Sequence, residues 1–461
     1  MKTDTIAAIA TALSPSGIGI IRISGDEAIE TADRIFRSKS GKKIAEVKSH
    51  TVHYGFIYDG DEMIDEVMAV VMKAPHSFTR ENTVEIDCHG GVYVMNKILQ
   101  TALKNGARMA EPGEFTKRAF MNGRIDLTKA EAIMDLIQSK NEAARKNSLS
   151  HLKGDMYQKI KKLREDILYE IAFIESALDD PEHISLDGFH ERLENKTTEI
   201  ISVVKRLINS AENGRILKEG INTVIVGKPN VGKSSFLNLL LDEERAIVTD
   251  IAGTTRNTLE ESVSLDGITL NLIDTAGIRN TDDPVEQIGV NKAKKSLEEA
   301  DLMIYMVDSS IPLDESDLEI IPLLDPFKTI VLLNKSDLTP VVTKEMVEQY
   351  FKDGILPQCI TIAAGKKEGL ERFSGLIKEK FFAGEISFDE EIMISNMRQK
   401  DLLVQTLSHM EMVKRSLEDD MPEDFYSIDL MAAYASLGEM IGEEVGEDLV
   451  NEIFSKFCMG K

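Results

Sequence analysis

The stretch 227-GKPNVGKSS-235 constrains the fold of this chain more than any other feature of its sequence. It follows an apolar run, 221-INTVIVG-227, and precedes a helical pattern, 236-FLNLLL-241. Glycines in such a loop let backbone N–H groups surround phosphate oxygens, and the N-terminus of the next helix favours negative charge. The order of strand, glycine-rich loop and helix therefore predicts an α/β domain with a phosphate-binding loop.

Side chains in and after this loop suit a nucleoside triphosphate bound with Mg²⁺. Lys233 can contact the β- and γ-phosphates, and the hydroxyl of Ser234 can ligate Mg²⁺. Thr255, within 253-GTTR-256, stands between the first helix and the next strand, where a switch-loop threonine contacts Mg²⁺ and the γ-phosphate.

A second strand pattern supports the same site. The stretch 268-ITLNLIDTAG-277 ends an apolar strand at Asp274, which can hold Mg²⁺ through water, and Gly277 can offer its N–H to a γ-phosphate. Ile278 follows, where Ras-like enzymes have a glutamine that orients the attacking water. Another residue must therefore polarise the water, and the sequence leaves three carboxylates open: Asp282, Asp283 and Glu286.

The base is indicated by 329-TIVLLNKSD-337. The carboxylate of Asp337 can accept hydrogen bonds from the ring N–H and the amino group of guanine, a donor pair that adenine lacks. The nucleotide is therefore expected to be GTP. A further base-contacting loop is expected after 359-CITI-362, but it reads 363-AAG-365, where translational GTPases and Ras more often have Ser-Ala-Lys, which leaves contact with guanine through the backbone.

The 461 residues are too many for one ordinary core. Short β-like runs and the helical pattern 92–106 predict an α+β domain over 1–118. From about residue 119, long stretches lack Gly and Pro, which predicts helices. A capping box is expected at Thr128 and Glu131, and a helix break is expected around 214-GRILKEG-220. We expect an α/β domain over 216–384, inserted into a discontinuous helical domain that consists of an earlier segment, 119–215, and a C-terminal segment, 385–461.

The C-terminal helical segment carries an apolar stripe that needs a partner to cover it, and the earlier helical segment is the expected one. The members of the stripe recur at helical spacing: Leu430, Ala433, Tyr434 and Leu437.

The composition narrows the class of protein. The net charge of −25 disfavours unspecific adhesion to nucleic acid, because such binding depends on cationic surface. The acidic excess lies in residues 216–461, so any RNA contact is expected to use a local patch in the first half. Three widely spaced cysteines without a CxxC pair argue against disulfides and zinc, and no apolar run suits a membrane span. We expect a soluble cytoplasmic protein.

Several stretches outside the nucleotide motifs are also informative: 4-DTIAAIAT-11, 17-GIGIIRISG-25, 77-SFT-79, 84-VEIDCHGG-91, 112-PGEFTKRAFMNGRIDLTKAEA-132 and 457-FCMGK-461. Of these, the PGEFT block and the Cys-x-Gly-Lys tail are far more specific than a phosphate-binding loop. Together with the nucleotide motifs, these stretches make the whole chain resemble the MnmE (TrmE) family of tRNA modification GTPases. The resemblance implies an N-terminal folate-binding-like domain that also dimerises, a discontinuous helical bundle and an inserted Ras-like P-loop GTPase domain.

The resemblance further implies a K⁺-activated GTPase. Glu286 matches the glutamate proposed as general base, acting through a bridging water, and Mg²⁺ is expected at Ser234 and Thr255. Asn230 matches a K⁺ ligand, and the other oxygens of that site would come from Thr249, Ile251 and Thr254. The residues expected to contact GTP are Asn230, Val231, Gly232, Lys233, Ser234, Ser235, Thr249, Asp250, Ile251, Ala252, Gly253, Thr254, Thr255, Asp274, Thr275, Ala276, Gly277, Asn334, Lys335 and Asp337.

Residues matching the family's folate site are Arg22, Glu85, Arg124 and Lys461. Cationic side chains suit the carboxylates of folate, and a carboxylate suits its guanine-like pterin ring. Arg124 is a departure, because family members often have lysine there. The implied one-carbon donor is 5-formyl- or 5,10-methylene-tetrahydrofolate.

The implied reaction adds a (carboxymethyl)aminomethyl group to carbon 5 of the wobble uridine of certain tRNAs. The implied partner is an FAD-dependent protein of the MnmG type, which would join a homodimer of this chain in a heterotetramer. Cys458 either places a thiolate beside folate or uridine, or is a small buried hydrophobe, and both interpretations stay open.

Two rival functions are weighed against this one. A switch protein of ribosome assembly would need a basic RNA-binding appendage, whereas the appendages here are neutral or acidic. A folate-dependent transferase that GTP merely regulates would retain its activity in residues 1–118 alone.

Overall fold

The computed structural model describes residues 4–180, 182–183, 188–243, 261–273, 297–351, 356–382, 392–443, 445–458 and 460. The chain forms two compact units. The first comprises Met1–Met134, His151–Asp187 and Glu418–Lys461, and the second comprises Asp135–Ser150 and Gly188–Leu417. The four-segment division expected from the sequence has boundaries that differ from those of these two units, and it stays a prediction.

The first unit contains a sheet in which the described strands are β1 (Ile6–Ile9), β2 (Ser16–Ser24), β3 (Phe36–Ser38), β4 (Thr51–Asp59), β5 (Glu62–Met72), β6 (Thr83–Gly90) and β7 (Arg108–Met109). Their spatial order is β3-β4-β5-β6-β2-β1-β7, and neighbours are antiparallel except β1 and β7. Helices α1 (Ala28–Ile35) and α2 (Val92–Lys104) bury their apolar faces in the core of this sheet. The α+β character predicted for this region is confirmed.

The helices described next along the chain are α3 (Glu114–Met121), α4 (Leu127–Gln138), α5 (Glu142–Lys153), α6 (Asp155–Asp179) and α7 (Phe189–Glu219). The capping box expected at Thr128 and Glu131 is wrong. Asp126 caps α4 instead, since its carboxylate accepts a hydrogen bond from the Lys129 N–H at 3.0 Å. Thr128 lies in the first turn and donates its hydroxyl to the same carboxylate.

The break expected around 214–220 is also wrong in its first half, because α7 continues to Glu219. Gly214 lies inside the helix, where an added Cβ would stand 2.0 Å from the carbonyl oxygen of Ile394. This glycine permits close approach of another backbone segment rather than ending the helix. The helix ends at Gly220, whose φ of 90° is readily adopted by glycine.

The second unit contains a mostly parallel sheet, described over β8 (Ile221–Val226), β9 (Glu261–Leu265), β10 (Ile268–Leu272), β11 (Leu302–Asp308), β12 (Thr329–Asn334) and β13 (Gln358–Thr361). The order is β13-β12-β11-β8-β10-β9, with β9 antiparallel to β10. The helices described between these strands and after them are α8 (Lys233–Glu243), α9 (Glu315–Ile320), α10 (Lys344–Glu348) and α11 (Leu370–Phe382). Every residue of β11 and β12 is buried, as expected for central strands covered on both faces.

The last helices among the described residues are α12 (Met397–Glu418), α13 (Glu423–Ile441) and α14 (Glu447–Ser455). The apolar stripe of α13 packs against α6, as the sequence predicted. Arg164 of α6 places its guanidinium 4.0 Å from the ring centroid of Tyr434 and donates to the Tyr434 carbonyl at 3.3 Å. Among the described residues, no helix combines the length and apolar character that a bilayer span requires.

Candidate functional site

The loop between β8 and α8 has the backbone that phosphate binding requires. Gly227, Asn230 and Gly232 have φ values of 149°, 64° and 101°, respectively. At Gly227 an added Cβ would stand 2.5 Å from the carbonyl oxygen of Met306. The loop therefore lies tightly against the end of β11, and its first glycine has no room for a side chain.

Lys233, the first residue of α8, holds its ammonium inside this loop. Nζ donates to the carbonyl oxygens of Gly227 at 2.5 Å and Lys228 at 2.9 Å. Burial lowers the pKa of Lys233 below its ordinary value. Both hydrogen-bond partners found for this ammonium within the described residues are carbonyls, so a phosphate oxygen would supply the missing opposite charge. The next two residues, Ser234 and Ser235, lie in the first turn of α8.

Asn334, at the end of β12, joins the phosphate-binding loop to the loop after β13. Its Nδ2 donates to the carbonyl oxygen of Val231 at 2.7 Å, and its Oδ1 accepts from the Ala364 N–H at 3.0 Å. Gly232 has no room for a side chain, because a Cβ there would stand 2.2 Å from Asn334 Nδ2. A buried amide thus fixes the distance between the phosphate loop and the segment expected to contact the base.

Asp337 lies at the surface next to this bridge, where its carboxylate stands 3.5 Å from the ammonium of Lys366. Lys335 adopts a φ of 60° and pairs with Asp308 through Nζ and Oδ2 at 2.6 Å. The structure therefore brings together the phosphate loop, Asn334, Lys335 and Asp337 at the carboxyl edge of the sheet. This is the edge where ligands of open α/β sheets bind.

The remaining nucleotide-site residues expected from the sequence, and one folate-site residue, lie outside the described residues. They are Thr249, Asp250, Ile251, Ala252, Gly253, Thr254, Thr255, Asp274, Thr275, Ala276, Gly277, Glu286 and Lys461.

A second cluster lies in the first unit, around Arg22. The register of β2 against β6 places Arg22 opposite Glu85, and Nε donates to Glu85 Oε1 at 2.7 Å. The guanidinium of Arg124 stands 4.8 Å from the ring centroid of Phe78, and that of Arg22 stands 5.7 Å from the same ring. Arg22 and Arg124 therefore lie beside one aromatic ring, and Glu85 is bonded to Arg22.

The end of the chain reaches this cluster. Arg22 donates to the carbonyl oxygen of Gly460 at 3.2 Å, and the Gly113 N–H donates to the carbonyl oxygen of Cys458 at 3.3 Å. The side chain of Cys458 is exposed, so the interpretation as a small buried hydrophobe is wrong.

The PGEFT stretch, residues 112–116, contributes a charged side chain and an aromatic ring next to this cluster. Glu114 accepts hydrogen bonds from Arg108 at 2.6 Å and from Arg118 at 2.9 Å, and all three belong to one ionic network. Phe115 is buried with its ring centroid 5.5 Å from the guanidinium of Arg22. The most specific motif of the sequence therefore positions residues of the cluster rather than offering a reactive group.

Sequence reasoning missed three contributors to these sites. Phe78 lies within 77-SFT-79 and received no role, although an aromatic residue between two β-like runs is a ring available for stacking. Lys228 received no role, because it was treated only as a loop position. Its buried ammonium pairs with Asp317 of α9 and with Asp314, the residue that caps α9. Asp308 ends a wholly apolar strand, the same signal that drew attention to Asp274.

Two family models match the chain. One is described as the N-terminus of the GTP-binding protein TrmE and matches residues 5–124. The other is described as the MnmE helical domain and matches residues 127–458.

Curated relatives match over the full length, and each is named tRNA modification GTPase MnmE. That of Lachnoclostridium phytofermentans is 56% identical over 462 residues and covers 100% of both chains. That of Clostridioides difficile is 46% identical over 458 residues and covers 99% of both chains. That of Bacillus subtilis is 43% identical, covering 99% of this chain and 100% of its own.

Proposed function

The chain belongs to the MnmE family of tRNA modification GTPases, and from this premise we propose that its GTP hydrolysis serves modification of a wobble uridine. It is a GTP hydrolase that acts in tRNA modification. The finer assignments below concern which residues bind the nucleotide, which cations assist, and what else the enzyme needs.

The proposed GTP site is formed by the loop before α8, Asn334, Lys335 and Asp337. The observation that carries it is the pair of hydrogen bonds that Asn334 makes with Val231 and Ala364. These bonds hold the phosphate loop and the loop expected to contact the base at a fixed distance from each other. Backbone N–H groups and Lys233 would bind the phosphates, and Asp337 would select guanine. Mg²⁺ would be held by Ser234 and Thr255, with Asp274 acting through water.

We further propose that K⁺ supports hydrolysis. Asn230 is exposed in the phosphate loop, and its oxygen would bind the ion together with Thr249, Ile251 and Thr254. A cation beside the β- and γ-phosphates supplies positive charge where negative charge accumulates. Glu286 would act as general base through a bridging water.

The test of the K⁺ proposal is GTP turnover measured in KCl and in NaCl at equal ionic strength. Faster turnover in KCl is expected, and Asn230→Ala should reduce the difference between the two salts. Equal rates in both salts would remove K⁺ from the mechanism and leave the GTP site itself unaffected.

The Arg22 cluster suits a tetrahydrofolate, either 5-formyl- or 5,10-methylene-tetrahydrofolate. Partial burial and the neighbouring Arg80 cation lower the pKa of Arg124, and an anionic ligand would offset that charge repulsion. Phe78 offers a stacking surface, and Glu85 offers a carboxylate to a pterin ring. Arg22, Glu85, Arg124 and Lys461 would then hold the one-carbon donor.

In the proposed reaction the enzyme works as a homodimer with an FAD-dependent partner of the MnmG type, in a heterotetramer. It adds a (carboxymethyl)aminomethyl group to carbon 5 of the wobble uridine, using the folate one-carbon unit. Nucleoside mass spectrometry of tRNA from cells with and without the gene tests this. Loss of the modified uridine is expected, and unchanged wobble uridines would reject the function.

A further inference from the structure

The carboxylate of Asp308 is buried, and its two oxygens interact with different residues. Oδ1 accepts from the Ser310 N–H at 3.0 Å and from the Ser310 hydroxyl at 2.6 Å. Oδ2 stands 2.6 Å from the ammonium of Lys335. Burial alone would raise the pKa of Asp308, but the bonds from Lys335 and Ser310 outweigh it and hold that pKa below its ordinary value.

The partner of this carboxylate occupies a critical position in the turn that follows β12. Lys335 stands between Asn334, which holds the phosphate loop, and Asp337, which is expected to select the base. Its φ of 60° is unfavourable for a residue with a side chain, so the surrounding contacts must maintain it. One such contact is the Ser309 N–H, which donates to the Asn334 carbonyl at 2.9 Å.

We propose that Asp308 is a positioning residue for the guanine nucleotide and acts through Lys335. The inference rests on the proposed GTP site, in which Lys335 contacts the nucleotide. A lysine side chain loses much rotamer freedom when it is ordered, and Asp308 removes that loss from binding by holding the ammonium beforehand. Asp308 also needs Lys335, because an unpaired carboxylate at this edge would repel an anionic nucleotide.

The decisive variant is Asp308→Asn. Asparagine keeps the shape and the acceptor for Ser310, but its amide group presents donors to an ammonium that is itself a donor. We expect the Kd for GDP labelled with a fluorophore on the ribose to rise about tenfold. The KM for GTP should rise similarly, while kcat stays within about twofold because the γ-phosphate contacts are intact.

A double-mutant cycle with Lys335→Ala separates positioning from a general structural role. In the Lys335→Ala background, Asp308→Asn should cause no further loss of affinity and should restore part of it, since the carboxylate then has no lysine to hold and only repels the nucleotide. An equal loss in both backgrounds, or no loss in either, would overturn the proposal. Ser310→Ala provides a milder second variant, with a smaller rise in Kd that also disappears in the Lys335→Ala background.

The matched control is Asp266→Asn, which removes the charge of another carboxylate held by a lysine and a serine in the same unit. Its Kd for labelled GDP should equal that of the unmodified protein. Failure of the underlying GTP site would be recognised separately. In that case the unmodified protein would bind labelled ADP as tightly as labelled GDP, whatever the outcome of the cycle.

Discussion

At the scale of single residues, Asp337 is the residue expected to determine which base the enzyme accepts. In Asp337→Asn, the amide group would face the amino group of guanine with two donors opposed, whereas it could donate to the corresponding oxygen of xanthine. We expect the Kd for GDP to rise by about a hundredfold or more and the Kd for XDP to fall, because polar groups that the bound nucleotide covers would then be mispaired, which is costly. Competition binding with both nucleotides measures the change.

Lys366 supplies the control for this substitution, because its ammonium stands 3.5 Å from the Asp337 carboxylate. The pair is largely solvent-exposed, so Lys366→Ala should change the Kd for GDP by less than about threefold. If Asp337→Asn left the preference for GDP over XDP intact, Asp337 would have no role in base selection.

The residues that sequence analysis could find are those whose partners are local in the chain. The glycines and Lys233 follow from the spacing within one loop, and Lys233 indeed contacts the carbonyls of that loop. Arg22 and Glu85 are 63 positions apart, and their contact depends on the register of β2 against β6. Without the family resemblance, neither residue would have been distinguished from a surface charge.

At the scale of elements, Lys228 ties the phosphate loop to α9. Its buried Nζ donates to Asp317 at 2.7 Å and to Asp314 at 2.8 Å, and Asp317 also accepts from the Tyr305 hydroxyl at 3.0 Å. In Lys228→Met, the fully buried Asp317 carboxylate would lose its cationic partner. We expect the free energy of unfolding to fall by about 3 kcal/mol, as for other buried ion pairs that lose one partner. Urea titration of the nucleotide-free protein measures it.

The same network predicts a pH dependence. Burial alone would lower the pKa of Lys228, but the bonds from Asp314 and Asp317 outweigh it and raise that pKa above 10.5. This contribution is fully present below 10.5 and is lost as the pH rises through the higher folded value. The bond from Lys228 lowers the pKa of Asp314 below 3.8, so that contribution is lost as the pH falls through the lower folded value.

The stability difference between the unmodified protein and the double variant Lys228→Met with Asp317→Asn, in which no carboxylate stays buried without its partner, should therefore be constant from about pH 5 to about pH 9 and shrink outside that range. This double variant is also the control for Lys228→Met alone, since it removes the buried carboxylate together with its partner. It should recover some of the lost stability. A difference that varies steeply near neutral pH would contradict this account of the network.

The sequence predicted the types of the secondary-structure elements better than it predicted the residues at which helices begin and end. Gly214 indicated a helix end by composition, yet it is explained by the backbone of Ile394, which lies far along the chain. Thr128 and Glu131 matched a capping pattern, but Asp126 stands one residue before the helix and is the better acceptor for its free N–H groups. Gly214 is thus explained by a contact distant in the chain, whereas the cap of α4 lies two residues from the expected position within the same local sequence.

At the scale of the whole chain, the first unit is assembled from its beginning, its middle and its end. Gly113 has a φ of 69°, and an added Cβ there would stand 2.4 Å from the carbonyl oxygen of Phe454. Phe454 and Phe457 are buried together, with ring centroids 5.0 Å apart. The last helix is thus anchored beside the PGEFT stretch, and Gly460, which follows it, accepts a hydrogen bond from Arg22.

Because the aromatic residues anchor the last helix, we expect the last three residues, 459–461, to contribute to folate binding at the Arg22 cluster and little to folding. Their deletion removes the carbonyl of Gly460, which accepts from Arg22 at 3.2 Å, and the ammonium of Lys461. It leaves Phe457 in place. We expect the Kd for 5-formyltetrahydrofolate, measured by isothermal titration calorimetry, to rise about tenfold or more. The midpoint of thermal unfolding should change little, because the anchoring aromatic residues remain.

The matched control is Lys456→Ala, which removes an exposed cation from the same end of the chain while leaving the contacts of Arg22 intact. Its Kd for the folate should not change, so a loss confined to the deletion cannot come from the net charge of the tail. Lys461→Ala then separates the ammonium from the Gly460 carbonyl. If the deletion bound folate as tightly as the full chain, the contact between Arg22 and Gly460 would be structural, and the folate site would consist of residues 22, 85 and 124 without the chain's end.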